Sequence, residues 1–163
     1  MAIVVMGVAG SGKTSVGEGI GRRLGIRFRD ADEFHPSANV AKMSAGIPLD
    51  DADRWPWLDA IGKAIHDAGD ESIVVACSAL KRVYRDRIVK AAGRPIEFVF
   101  LDGSLATLRK RIGGRRGHFM PASLLDSQLA TLERPTSDER VITVSIEQPV
   151  DQVVSRAIEA LGA

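Results

Sequence analysis

The sequence predicts an α/β fold with helices packed on both faces of a parallel sheet. Two observations carry this. Short runs rich in Ile, Val and Phe alternate with longer stretches of helical period along the chain. Three of those runs are apolar almost throughout, the pattern of strands buried on both faces rather than one. With 163 residues and no repeat, low-complexity tract or linker, the chain suits one domain with one sheet at its core.

The elements follow in order. The first strand is Ala2–Met6, and the helix after it is Lys13–Leu24. Residues 26–29 are a weaker second strand. Residues 38–45 and 53–68 read as helices; in the second, Leu58, Ile61, Ile65 and Ala68 recur at spacings of three and four and build one apolar face. A strand at 72–77 leads to a helix at 82–91. The fourth strand, 96–101, precedes helices at 104–112 and 122–132, where Ser104 and Pro121 occupy capping and first-turn positions. A strand at 141–146 and the helix Val150–Leu161 finish the alternation, whose crossovers are right-handed.

Composition narrows the function. The 22 basic and 21 acidic residues leave a net charge of +1, which argues against a surface built to hold nucleic acid or an anionic membrane. Cys77 is the only cysteine, so neither an intrachain disulfide nor a cysteine zinc cluster is available. No apolar run approaches the roughly 20 residues needed to span a bilayer. No basic leader precedes the first strand, so a cytoplasmic protein is the simplest expectation.

Between the first strand and the first helix lies Gly7-Val8-Ala9-Gly10-Ser11-Gly12-Lys13-Thr14, which fits the P-loop pattern in the right context. Its glycines let backbone N–H groups curl around phosphate oxygens, and the helix N-terminus adds its positive end. Lys13 brings a cation to the β- and γ-phosphates, and the Thr14 hydroxyl can hold Mg²⁺. Gly7, Ala9, Gly10, Ser11, Gly12, Lys13, Thr14 and the adjoining Ser15 are the candidate nucleotide-binding residues. The motif alone does not separate a kinase from a GTPase switch or a motor domain.

Many P-loop proteins hold their metal through an Asp at the end of a second buried strand. Here the strand at 72–77 ends in Ser78, and Asp102 after the fourth strand reads as a polar residue entering the next helix. Asp30 and Asp32 are better placed, since alternate residues of an extended segment aim two carboxylates into one cleft. One can serve Mg²⁺ through water, and the other can orient an acceptor hydroxyl and take its proton. We assign Asp30 with Thr14 to the metal, and Asp32 to the acceptor, while which carboxylate touches Mg²⁺ directly stays open.

Further motifs stand in order: Asp30-Ala-Asp-Glu-Phe-His-Pro36 with Asn39, Lys42 and Met43; Gly46-Ile-Pro-Leu-Asp-Asp-Ala-Asp-Arg54; Pro56-Trp57-Leu58; Cys77-Ser-Ala-Leu-Lys81 with Tyr84-Arg85; Gly117-His-Phe119; Ser127-Gln128; and Gln148-Pro149. Together they resemble the gluconokinase family, P-loop kinases related to shikimate kinase and the nucleoside monophosphate kinases. The resemblance runs from Ile3 to about Ile158. It departs at Leu129, where relatives often carry Phe, and at Glu133-Arg134-Pro135.

The resemblance implies an adenylate-kinase-like, three-layer fold with a five-stranded parallel sheet and a mobile lid at about residues 112–121. It implies transfer of a phosphoryl group from Mg·ATP to the 6-hydroxyl of D-gluconate, and a homodimer as the assembly known among relatives. A polar anion of this kind needs cations for its carboxylate and side chains that donate and accept for its hydroxyls. Arg54, Lys81 and Arg85 are the candidate cations; His35, Asn39, Lys42 and His118 complete the acceptor set with Asp32. By the same resemblance Arg111 lies against the adenine, Gln148-Pro149 borders it, and Arg115 with Arg116 reaches the triphosphate. Lys13, Asp32 and Arg115 are then the catalytic candidates. A shikimate or nucleoside monophosphate kinase is the neighbouring alternative, though shikimate kinases carry a glycine triplet where Ser78-Ala79-Leu80 stands. A non-catalytic ATP-binding switch or scaffold is the alternative of another class.

Overall fold

The computed structural model describes residues 1–113 and 122–163. Five parallel strands form one sheet: β1 (Ala2–Met6), β2 (Arg27–Asp30), β3 (Ile73–Ala76), β4 (Glu97–Asp102) and β5 (Val141–Ser145), in the order β2-β3-β1-β4-β5. β1 lies in the middle with all five residues buried, which explains its unbroken apolar sequence. It pairs with β3 from Ala2 opposite Ile73 and with β4 from Ile3 opposite Glu97.

Side chains alternate across that central strand. Val4 and Met6 enter a core with Leu58, Ile61, Ile65, Ile88 and Phe98, beneath α3 (Asp51–Asp67) and α4 (Arg82–Ala92). Ile3 and Val5 enter the opposite core with Val16, Ile20, Val99 and Val153, beneath α1 (Lys13–Leu24) and α7 (Val150–Leu161). The remaining helices are α2 (Ser37–Ser44), α5 (Leu105–Gly113) and α6 (Ala122–Thr131). No helix among the described residues is long and apolar enough to cross a membrane.

Two local features differ from the sequence expectation. α3 begins at Asp51 rather than Asp53, because Asp50 and Asp53 form a reciprocal capping box ahead of the apolar face. After β2 the chain does not stay extended but turns into a short 3-10 helix, Ala31–Phe34. Asp30 caps that turn, accepting from the Asp32 backbone N–H at 2.9 Å.

Candidate active site

The phosphate cradle sits at the C-terminal edge of the sheet, where β1 ends. The Gly7 N–H donates to Ser78 O at 3.3 Å, tying the loop to the end of β3. Gly12 caps α1 with φ +90°, a left-handed conformation that glycine takes without strain. Lys13 Nζ turns back to donate to Val8 O at 3.1 Å. Ser11 is fully buried, and its hydroxyl has no hydrogen-bond partner among the described residues, a polar lining suited to an anion within the loop.

Beside the cradle the 3-10 turn presents the two carboxylates. Lys13, Thr14, Asp30, Asp32, Ser78 and Gln128 line one cavity of about 380 Å³. Thr14 Oγ1 donates to Asp30 Oδ2 at 3.3 Å. A hydroxyl and a carboxylate so placed are the hard oxygen donors that Mg²⁺ takes in ones and twos alongside phosphate oxygens, so the residues fit that ion. Burial, with the nearby Asp30 charge, raises the Asp32 carboxyl above its ordinary value, against opposing pulls from His35 and Lys13.

From Asp32 the site continues to His35, which stacks on Trp57 with ring centroids 4.3 Å apart. Trp57 is fixed in turn, its indole N–H donating to Ala31 O at 2.8 Å. Buried Asn39 donates to Asp53 O at 2.9 Å, so its remaining amide N–H faces His35 Nδ1 at 3.3 Å. Nδ1 therefore accepts, and the ring proton belongs on Nε2. Burial keeps this imidazole below its usual pKa, with Arg54 adding to the effect and Asp32 opposing it. Beyond it Arg54 and Lys81 gather around Asp51 and Tyr84.

On the other side of the P-loop a groove of about 660 Å³ is lined by Gly12, Ser15, Arg111, Gln148 and Pro149. Arg111 spans it, donating to Ile146 O at 2.8 Å, and Gln148 Nε2 donates to Ser145 O at 2.8 Å. The two spaces meet at Gly10 and Gly12.

The sequence matches the AAA domain family over residues 3–135. Gluconokinase from Gluconobacter oxydans (strain 621H) is 51% identical over 167 residues, covering 99% of this chain and 91% of that one. The crystal structure of a gluconokinase from Sinorhizobium meliloti 1021 superposes with a TM-score of 0.89 at 50% identity, covering 99% of this chain and 91% of that one. The chain belongs to the gluconokinase family. Shikimate kinase from Aquifex aeolicus vf5 shares the fold, with a TM-score of 0.63 at 18% identity over 99% of this chain and 96% of that one. That likeness extends to the P-loop kinase architecture and no further.

Within this gluconokinase-family site the expected residues divide into groups. Lys13, Thr14, Asp30 and Asp32 line the central cavity, and His35, Arg54 and Lys81 extend from it. Asp30 and Asp32 reach a common space through the 3-10 turn rather than by strand alternation. Asn39 and Lys42 carry internal duties: Asn39 orients His35, and Lys42 pairs with Asp53 at 2.8 Å. Arg115, Arg116 and His118, with most of the expected lid, lie outside the described residues.

Arg85 departs most from its expected role. Its side chain is 2% exposed and all its donors are engaged. Nε and Nη2 grip Glu139 at 2.7 and 3.2 Å, Nη1 donates to Ala79 O and Leu80 O, and Nη2 also donates to Glu133 O. In this structure the guanidinium staples the α6–β5 segment to the loop after β3, and an acceptor carboxylate finds no donor on it. Asp102 likewise stays with the scaffold, pairing with Arg134 at 3.1 Å.

Three contributors were given no role by the sequence reading, although Asp51 and Gln128 stood in its motifs. Gln128 Oε1 accepts from the Ala9 N–H at 2.6 Å, carrying α6 into contact with the P-loop. Asp51 and Glu139 organise Arg54, Lys81 and Arg85. The Gln128–Ala9, Asp51–Lys81 and Glu139–Arg85 partnerships join residues 30 to 119 apart and leave no local signal, whereas Asp51 and Arg54 are only three residues apart.

Proposed function

We propose that this chain transfers the γ-phosphoryl group of ATP to the 6-hydroxyl of D-gluconate, giving 6-phospho-D-gluconate and ADP. The observation that carries this is the placement of Asp32, in one cavity with Lys13, Thr14 and Asp30, on the side that leads to His35 and the cations Arg54 and Lys81. Phosphate-binding and hydroxyl-activating groups thus face the same space.

Asp32 accepts the hydroxyl proton as the acceptor oxygen attacks the γ-phosphorus. The new O–P bond forms as the bond to the β–γ bridging oxygen breaks. A carboxylate whose proton affinity is raised by burial is a stronger base than an exposed one. Lys13 holds charge on the transferring group, and Mg²⁺ on Thr14 and Asp30, when bound, neutralises phosphate charge. His35 offers Nε2–H to an acceptor hydroxyl, while Arg54 and Lys81 meet the carboxylate.

This reading gives the base to Arg111 and Gln148-Pro149 along the second groove, and assigns Arg115 and Arg116 to the phosphates and His118 to the acceptor, all three outside the described residues. The reading takes residues 1–163 as one kinase domain working in the cytoplasm as a homodimer. The test is ADP release from Mg·ATP with D-gluconate beside shikimate, glycerate, the nucleoside monophosphates and no acceptor. Turnover with D-gluconate far above the others is expected; turnover with another acceptor alone refutes the assignment.

A further inference from the structure

The acceptor end of the cleft holds a carboxylate whose obvious structural job is already done by others. Asp51 lies in the first turn of α3, but the Asp50–Asp53 box closes that helix end. Instead Asp51 Oδ1 accepts from the Tyr84 hydroxyl and from Arg54 Nη1 at 3.3 Å, and Oδ2 from Lys81 Nζ at 3.4 Å. Those are the two cations assigned to the acceptor carboxylate.

The geometry is that of a shared site rather than a sealed ion pair. Both cation contacts are longer than the roughly 2.7–2.9 Å of tight charge-assisted bonds. The side chains of Arg54 and Lys81 are 30% and 32% exposed, so an anion arriving from solvent can reach them. Asp51 is itself anchored through buried Tyr84, over whose ring both cations lie at 5.7 and 5.5 Å. Around it Lys42 pairs with Asp53 and Arg87 with Asp59, the Asp50 carboxylate caps α3 through the Asp53 N–H, and burial disfavours a charge on His35. Counting the groups in direct contact, Arg54 and Lys81 against Asp51, the cluster carries one net positive charge.

We propose that Asp51 determines acceptor specificity by charge, cancelling one of two cations so that the site matches a monoanion. This deepens the gluconate reading and rests on its assignment of Arg54 and Lys81. A carboxylate-ended acceptor brings one negative charge and balances the cluster. A phosphate-ended one brings nearly two and meets Asp51 at close range, where like charges are strongly disfavoured. A neutral polyol finds cations already partnered and gains little.

The experiment measures KM for D-gluconate and, by competition, Ki for D-glucitol 1-phosphate, the same chain with a phosphate in place of the carboxylate. It uses the wild type, Asp51→Asn and the Asp51→Asn/Lys81→Gln double variant. Asn keeps an oxygen for Tyr84, so shape is largely retained. The single variant should improve Ki relative to the gluconate KM by about tenfold or more, and the double variant should return the ratio towards wild type. A purely structural Asp51 weakens both ligands together and leaves the ratio unmoved, which overturns the proposal. Should Asp51→Asn not fold, Lys81→Gln alone is decisive, because it must lower the preference for D-gluconate over neutral D-glucitol by about tenfold. An unchanged preference there overturns the proposal equally. Wild-type protein that does not phosphorylate D-gluconate at all fails at the earlier reading, not at this one.

Discussion

Replacing Arg85 with Met separates a substrate ligand from a scaffold staple. The substitution leaves Glu139, 8% exposed, without its cation and strips Ala79 O, Leu80 O and Glu133 O of a donor. Removing one partner of a buried ion pair costs about 3–5 kcal/mol. In a chain of this size each kcal/mol moves Tm by about 2–4 °C, so melting should fall by about 6–20 °C. Circular dichroism melts beside KM values for D-gluconate provide the assay. Replacing Glu139 with Leu in the same protein should recover part of the loss, since no charge is then buried alone. Burial pushes the Glu139 carboxyl up, but hydrogen bonds from Arg85 and the Thr136 N–H outweigh it and hold the carboxyl below its ordinary 4.5. The pair's contribution is therefore complete above that value and is lost as pH falls through the lower folded value. An Arg85→Met protein that melts within about 2 °C of wild type but binds D-gluconate far more weakly would refute the staple and restore a direct acceptor contact.

Three further outcomes follow from the site and the core. Asp32→Asn should cut turnover by about 10²–10⁴-fold while ATP binding, followed by calorimetry, stays near wild type. Because the reactive form of Asp32 is the carboxylate and its pKa is raised, wild-type kcat/KM should fall on acidification at a pH above the ordinary aspartate 3.8, and the variant should lose that limb. Cys77, buried with its thiol pushed up to about 12, should resist alkylation until the protein is unfolded; rapid labelling of native protein would contradict its placement. Gly62→Ala should destabilise by about 1–3 kcal/mol in urea, despite Ala's better helix propensity, because its Cβ would lie 2.4 Å from Ala91 Cβ and 2.8 Å from Ile88 O.

The strands and the phosphate loop were legible because their signals are local. β1 is recognisable from five consecutive apolar residues, and the loop's contributors are adjacent in sequence. β2 was harder to place, since an edge strand reading Arg-Phe-Arg-Asp lacks the apolar density of its neighbours. The 3-10 turn escaped notice because Asp30 creates it with one side-chain bond, which spacing does not reveal. The acceptor side was read in part: Arg54 and Lys81 belong to the cleft's outer cluster, while Arg85, one turn after Lys81, points into the scaffold. What separates them is Glu139, 54 residues further on, and only tertiary folding brings that carboxylate beneath α4.

The central position of β1 has a consequence for synthesis. Its neighbours are residues from Ile73 onward on one side and from Glu97 onward on the other. A ribosome adding about 5–20 residues per second makes β1 before both its partners, the second of them some 5–20 seconds later. Until then β1 can pair only with β3, and its other edge, Ile3 to Met6, lacks its partner. Newly made chains are thus most exposed to misassociation before β4 has emerged, and a holdase that occupies the first strand would protect them during that window.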